Sequence, residues 1–118
     1  MVDDDDDVRT TLQALLETEG HRVLAASNGR EARALLDRHH VDVLVLDLAM
    51  GPGDGLWLLD NLGPHSPVIV VYSAFEYVTE AQVRRHGGSK IFSCLRKPVA
   101  PLRFLDVVSE AARRGTGV

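Results

Sequence analysis

The chain has 118 residues, one domain's worth, of which 45% are hydrophobic and 25% charged; this is the composition of an ordinary soluble globular protein with material for a single core. A formal net charge of −4, with five of the 17 acidic residues gathered in the run Asp3 to Asp7, leaves no basic footprint for nucleic acid. The single cysteine, Cys94, excludes an internal disulfide, no apolar segment reaches membrane-spanning length, and the acidic start is unlike a signal peptide, so the chain reads as a cytoplasmic protein that does not engage a membrane.

Met1-Val2 is too short to stand as a strand by itself. After the aspartate run, Val8, Leu12, Leu15 and Leu16 make one apolar helical face running to about Glu19. The aspartates suit its N-cap and the positive end of its dipole, and Gly20 suits its C-terminus. His21 to Ala26 reads as a strand, Ser27-Asn28-Gly29 as a turn, and Arg30 to His40 as a helix with Ala32, Leu35 and Leu36 inward. Val41 to Leu46 reads as the next strand, and its unbroken apolar, mostly β-branched run from Val43 to Leu46 suits a central parallel strand covered on both faces. A glycine- and proline-rich loop leads to a helix over Asp54 to Leu62, stopped by Gly63-Pro64. Pro67 to Tyr72 is a second all-apolar strand. Helical signal from Glu76 to His86 is weak, resting on Val78, Ala81 and Val83, and Gly87-Gly88 breaks it. Ile91 to Leu95 reads as the last strand, and Pro101 opens a helix running to Arg114. Strands alternating with helices predict an α/β fold with a parallel sheet and right-handed crossovers.

In such sheets ligands gather outside the carboxyl ends of the strands. Asp3 and Asp4 follow Val2, Asp47 follows Leu46, Ser73 follows the strand begun at Pro67, and Lys97 follows Leu95. Three carboxylates on one edge repel, each raising the others' pKa, and a divalent cation removes that cost. An all-oxygen ligand set suits Mg²⁺ or Mn²⁺ rather than Zn²⁺. A metal-bound carboxylate beside an ammonium is also a phosphoryl site, where the carboxylate can attack phosphorus to form an aspartyl phosphate. Taken singly, each residue reads more simply as a cap, a turn or a surface lysine; the joint placement carries the inference.

That constellation resembles the receiver domain of two-component response regulators. The resemblance rests on Val2-Asp3-Asp4-Asp5, Leu46-Asp47-Leu48-Ala49-Met50, Asp54-Gly55, Ser73-Ala74 and Lys97-Pro98, in order over nearly the whole chain. It implies one receiver domain over residues 1–118, with a flavodoxin-like, doubly wound, five-stranded parallel sheet in the order 2-1-3-4-5. It implies that Asp47 accepts a phosphoryl group from the phosphohistidine of a sensor histidine kinase or phosphotransfer protein. Asp4 would bind Mg²⁺ directly and Asp3 mainly through water, with the backbone carbonyl of Ala49 completing the set. Ser73 would turn toward the phosphoryl group, Lys97 would pair with it, and the Lys97-Pro98 bond would be cis. A downstream output protein or domain would read the change. Direct nucleic-acid binding is not expected, since the closing helix lacks a basic recognition pattern.

Several positions depart from the family pattern. Only Met1-Val2 stands for the first strand, which is therefore truncated; restoring apolar residues ahead of Met1 should stabilise the fold, and dimerisation by strand exchange is left open. Gly51 replaces a common proline, with Pro52 one place later. The stretch between Gly88 and Lys97 is slightly long. Cys94 stands three before the lysine, where the family has an aromatic, which predicts a muted output switch. Phe92 would share Cys94's face of a regular strand and could substitute, although the plainer reading makes Phe92 core and Cys94 a small hydrophobe.

Two other functions compete. A pseudo-receiver, a constitutive interaction module on the same fold, usually lacks an acidic-pocket residue or the lysine, and neither is lost here. A phosphohydrolase with an aspartyl nucleophile would favour a second acid two places on, where Ala49 stands. The chain thus reads as a switch and not a turnover enzyme. The five histidines (His21, His39, His40, His65, His86) look scattered and structural, and Trp57 looks packed on the sheet.

Overall fold

The apolar runs become parallel strands β1 (Val43–Leu46), β2 (Val68–Ser73) and β3 (Ile91–Arg96), side by side in that order. The computed structural model describes residues 1–48, 54–63, 66–75 and 78–115. The helices are α1 (Asp6–Thr18), α2 (Gly29–Arg38), α3 (Asp54–Asp60), α4 (Glu80–Gly87) and α5 (Pro101–Gly115), with a 3₁₀ turn at Gly88–Lys90.

Caps set the helix starts. The Asp5 carboxylate accepts from the amides of Asp7 and Val8, so α1 begins before the first apolar residue. Asn28 accepts from Glu31 at the start of α2. Thr79 and Gln82 form a reciprocal capping box, so α4 starts at Glu80; Glu76, where the helical signal was expected to begin, lies outside the described residues. Asn61 ends α3 by donating to Trp57 O from both its amide and its side chain.

Beside β1 lies the remnant of a further strand. Val2 bridges Ala26 on one side and Leu46 on the other, both in parallel. Its amide donates to Val45 O at 2.8 Å, the Asp47 amide donates to Val2 O at 3.0 Å, and Asp3 N donates to Ala26 O at 3.1 Å. Across the sheet, the order is Ala26 segment, Val2, β1, β2, β3, the 2-1-3-4-5 arrangement of a doubly wound sheet. The expected strand over His21 to Ala26 needs correction. Within this segment only Ala26 forms a bridge, to Val2, and His21 to Ala25 are not paired as a strand. A cavity of about 650 Å³ runs along this gap, lined by Met1, Leu24, Leu36, Val43, Val45 and other residues.

Alternation along the strands divides the core in two. Leu44, Leu46, Ile69 and Val71 face α2, α3 and α4 through Ala32, Leu58, Leu59 and Val83. Val45 and Val70 face α1 and α5 through Leu12, Leu16, Phe104, Val108 and Ala111. Trp57 is half-buried against the first cluster, as its neighbours in sequence suggest, with the Arg30 guanidinium 4.6 Å above its ring. Among the described residues no helix is long and apolar enough to cross a membrane.

The β2–β3 register has one irregularity. Ile69 pairs with Ile91 but Val70 pairs with Ser93, so Phe92 is an extra residue in β3. This bulge reverses the facing of the rest of β3. Phe92 packs with the α1–α5 cluster and Cys94 with the other. The two therefore lie on opposite faces, which corrects the expectation of a shared face and absorbs part of the extra length before Lys97.

Candidate functional site

Each strand end delivers one polar group to the same edge. Val2 sits between its neighbours, so Asp3 emerges beside Asp47, the residue after β1. Asp3 is wholly buried and Asp47 is 2% exposed. Asp4 is exposed, yet it offers a carboxylate oxygen within 4.8 Å of oxygens from both of the others. Lys97 follows β3, across a cis bond to Pro98, and its Nζ lies 3.1 Å from Asp47 Oδ2. The Lys97 amide donates to Ser73 O at 2.9 Å, and its ammonium lies 4.8 Å from the Tyr72 ring, so β2 aims the side chain. Ser73, the last residue of β2, is 4% exposed, and its Oγ accepts from the Phe75 amide at 3.2 Å.

The electrostatics follow from burial. Desolvation pushes the Asp3 carboxyl up to about 6; the Asp5 amide, donating to Oδ1 at 2.9 Å, opposes this, and the nearby Asp47 charge adds to it. Asp3 Oδ2 is buried with no hydrogen-bond partner among the described residues. An orphaned buried carboxylate oxygen in a cluster of three carboxylates is an all-oxygen donor set that fits a hard divalent cation such as Mg²⁺ or Mn²⁺.

Asp3, Asp4, Asp47, Ser73 and Lys97 thus reach one edge of the sheet. Ala49, with the loop that carries Gly51 and Pro52, lies outside the described residues. The described histidines stay apart from the site: His86 meets Asp60 and His40 meets Asp42, while His65 is outside the described residues. Two supporting residues escaped sequence reasoning. Arg9 Nη1 donates to Asp3 O at 2.7 Å, although its pairing with Asp6 three residues earlier reads in sequence as an ordinary surface pair. Phe75 holds Ser73 Oγ from a left-handed backbone, φ +56°, for which a bulky residue gives no sequence signal.

Comparison with known proteins gives the chain's family. The family model described as "response regulator receiver domain" matches residues 1–109. The chain is 34% identical over 112 residues to an uncharacterised 14.6 kDa protein of Leptolyngbya boryana, covering 93% of this chain and 86% of that protein. It is 34% identical over 114 residues to the transcriptional regulatory protein GlrR of Escherichia coli, covering 94% of this chain but only 25% of GlrR. The structure of the beryllofluoride-activated NtrC4 receiver domain dimer superposes with a TM-score of 0.79 at 28% identity, covering 97% of this chain and 94% of that one. A chain matched over all but its last residues belongs to the response regulator receiver domain family of two-component regulatory systems.

Proposed function

We propose that this chain is a phosphorylation switch in which Asp47 is the phosphoacceptor, Lys97 and Ser73 bind the phosphoryl group, and Asp3, Asp4, Asp47 and the Ala49 carbonyl hold Mg²⁺. The observation that carries the reading is the Lys97–Asp47 pair at 3.1 Å beside the three-carboxylate cluster. A sensor histidine kinase or phosphotransfer protein is the donor. An oxygen of Asp47 forms the new P–O bond as the P–N bond of the donor phosphohistidine breaks; the imidazole keeps the electron pair and takes up a proton. The Lys97 ammonium then pairs with a phosphoryl oxygen, and the Ser73 hydroxyl donates to another. Bound Mg²⁺ supplies further neutralisation of phosphoryl charge. Burial of Asp47 restricts water, which lengthens the life of the acyl phosphate.

The receiver unit occupies residues 1–118, acts stoichiometrically in the cytoplasm, and passes its state to an output protein or domain. The beryllofluoride-activated NtrC4 receiver domain is a dimer, and a homodimer of the phosphorylated form is carried to this chain as part of the reading. The test is incubation with Mg²⁺ and acetyl phosphate followed by intact-mass measurement and sedimentation. One added phosphoryl mass, absent without Mg²⁺, is expected. No added mass would overturn the reading.

A further inference from the structure

A cleft of about 550 Å³ opens where β2 and β3 begin, at the edge of the sheet opposite Asp47 and Lys97. Small-molecule sites usually enclose about 300–1,000 Å³. Ile91 and Phe92 give this cleft an apolar wall, and its polar lining is Lys90, Arg114, Ser66 and Ser89. Among the described residues no Asp or Glu lines it, so a chain of formal net charge −4 presents a wholly cationic cleft here.

The lining has donors to spare. Ser66 Oγ is buried with no hydrogen-bond partner among the described residues. A buried hydroxyl left unpaired costs stability, and an acceptor in the cleft would remove that cost. The Lys90 ammonium uses one of its three N–H groups, on Gly63 O at 3.2 Å. The Arg114 guanidinium lies 5.1 Å from the Phe92 ring centroid, with no ion pair to a described residue. A contact with a ring leaves guanidinium N–H groups for another acceptor. Phe92 is also the extra residue of the β3 bulge, so the β2–β3 ladder is interrupted at this wall.

We propose that this cleft binds a small phosphate monoester with an apolar or aromatic body, of mononucleotide size. Lys90 and Arg114 pair with the phosphoryl oxygens, the Ser66 hydroxyl donates to one of them, and the body packs on Ile91 and Phe92. A phosphoryl group suits the lining better than a carboxylate, because its three terminal oxygens match two cations and the hydroxyls. Lying at the far edge of the sheet, the site stands or falls independently of the role proposed for Asp47.

The test is an amide NMR titration of the whole chain with adenosine 5′-monophosphate. Chelator is present, so that no divalent cation holds the phosphate at the carboxylate edge. Saturable shifts should appear at Ser66, Lys90 and Phe92 and not at Asp4 or Asp47. Adenosine and inorganic phosphate, each alone, should bind at least about tenfold more weakly, since each lacks one half of the contacts. Arg114→Gln and Ser66→Ala should each weaken binding by about three- to tenfold or more. Arg114 is exposed, so its variant reports binding without disturbing the core. Absence of saturable shifts at the cleft would overturn the proposal. So would inorganic phosphate binding as tightly as the nucleotide, which is counter-ion association only, or unaltered affinity in either variant.

Discussion

Asp47 and Asp3 are both buried carboxylates, yet they differ in partner. Asp47 has Lys97 at 3.1 Å, whereas Asp3 Oδ2 has no hydrogen bond among the described residues. Asp47→Asn keeps the shape but loses the nucleophilic oxygen, so acetyl phosphate should add no acid-labile phosphate; labelling at the unsubstituted level would be the contrary result. Asp3 behaves as a pH-dependent liability. Its folded-state pKa, about 6, exceeds the ordinary 3.8, so the folded protein holds the proton more tightly than the unfolded chain. Stability contributed by this group is therefore full below the ordinary value and is lost as pH rises through about 6. In chelator, Asp3→Asn should raise stability at pH 7.5 by on the order of 1–3 kcal/mol and flatten the fall across that window; thermal melts at several pH values read both. Asp4 is exposed, and in the proposed site its carboxylate would bind the cation directly. Asp4→Ala should weaken Mg²⁺ binding by at least tenfold, as read by the fluorescence of Trp57, whose helix α3 lies just beyond the Asp47 loop.

Among the elements, α2 and α3 meet at their first residues. The Gly29 amide donates to Asp54 Oδ2 at 2.7 Å, and a methyl at Gly29 would come within 2.9 Å of the Asp54 backbone oxygen. Backbone cannot yield as a side-chain tip can, so Gly29→Ala should separate the two helix starts. A loss of about 1–3 kcal/mol in denaturant melts is expected, despite alanine's better helix propensity. A stabilised variant would show that this junction is loose. Because α3 begins just after the Asp47 loop, the substitution should also slow phosphorylation, whereas a purely local defect would leave the rate alone.

At the scale of the whole molecule, the weak point is the lane between the Ala26 segment and β1. Among the described residues, the Val45 amide and the Val43 carbonyl face this lane without a backbone partner, beside the cavity of about 650 Å³. An added run of apolar residues ahead of Met1 would extend the Val2 bridges into a ladder on both sides. Each buried group newly paired contributes roughly 1 kcal/mol, and the apolar side chains would fill the cavity. The melting temperature should rise by several degrees, with His21 to Leu24 gaining amide protection. An unchanged melting temperature in a monomeric sample would mean the lane is already satisfied by other means.

The five lanes and their order came from the resemblance to receiver domains; the apolar runs, the residues that end them and the caps are local features, and they were enough to read out a parallel sheet covered by helices and the edge at which Asp3, Asp4, Asp47, Ser73 and Lys97 meet. Strand periodicity and chain order carry that information without reference to distant residues. Features that depend on a neighbour supplied from elsewhere were not legible. His21 to Ala26 has strand composition but forms one bridge, because a ladder needs a lateral partner of matching length. Cys94 and Phe92 share a face in any regular strand, and only the pairing with β2 reveals the bulge that parts them. Asp3 and Asp4 are adjacent and chemically identical, yet one is wholly buried and the other exposed, a difference set by the packing of Val2 between the Ala26 segment and β1. The left-handed turn at Phe75 exists because Ser73 and Arg96, 23 positions apart in sequence, grip it from two strands.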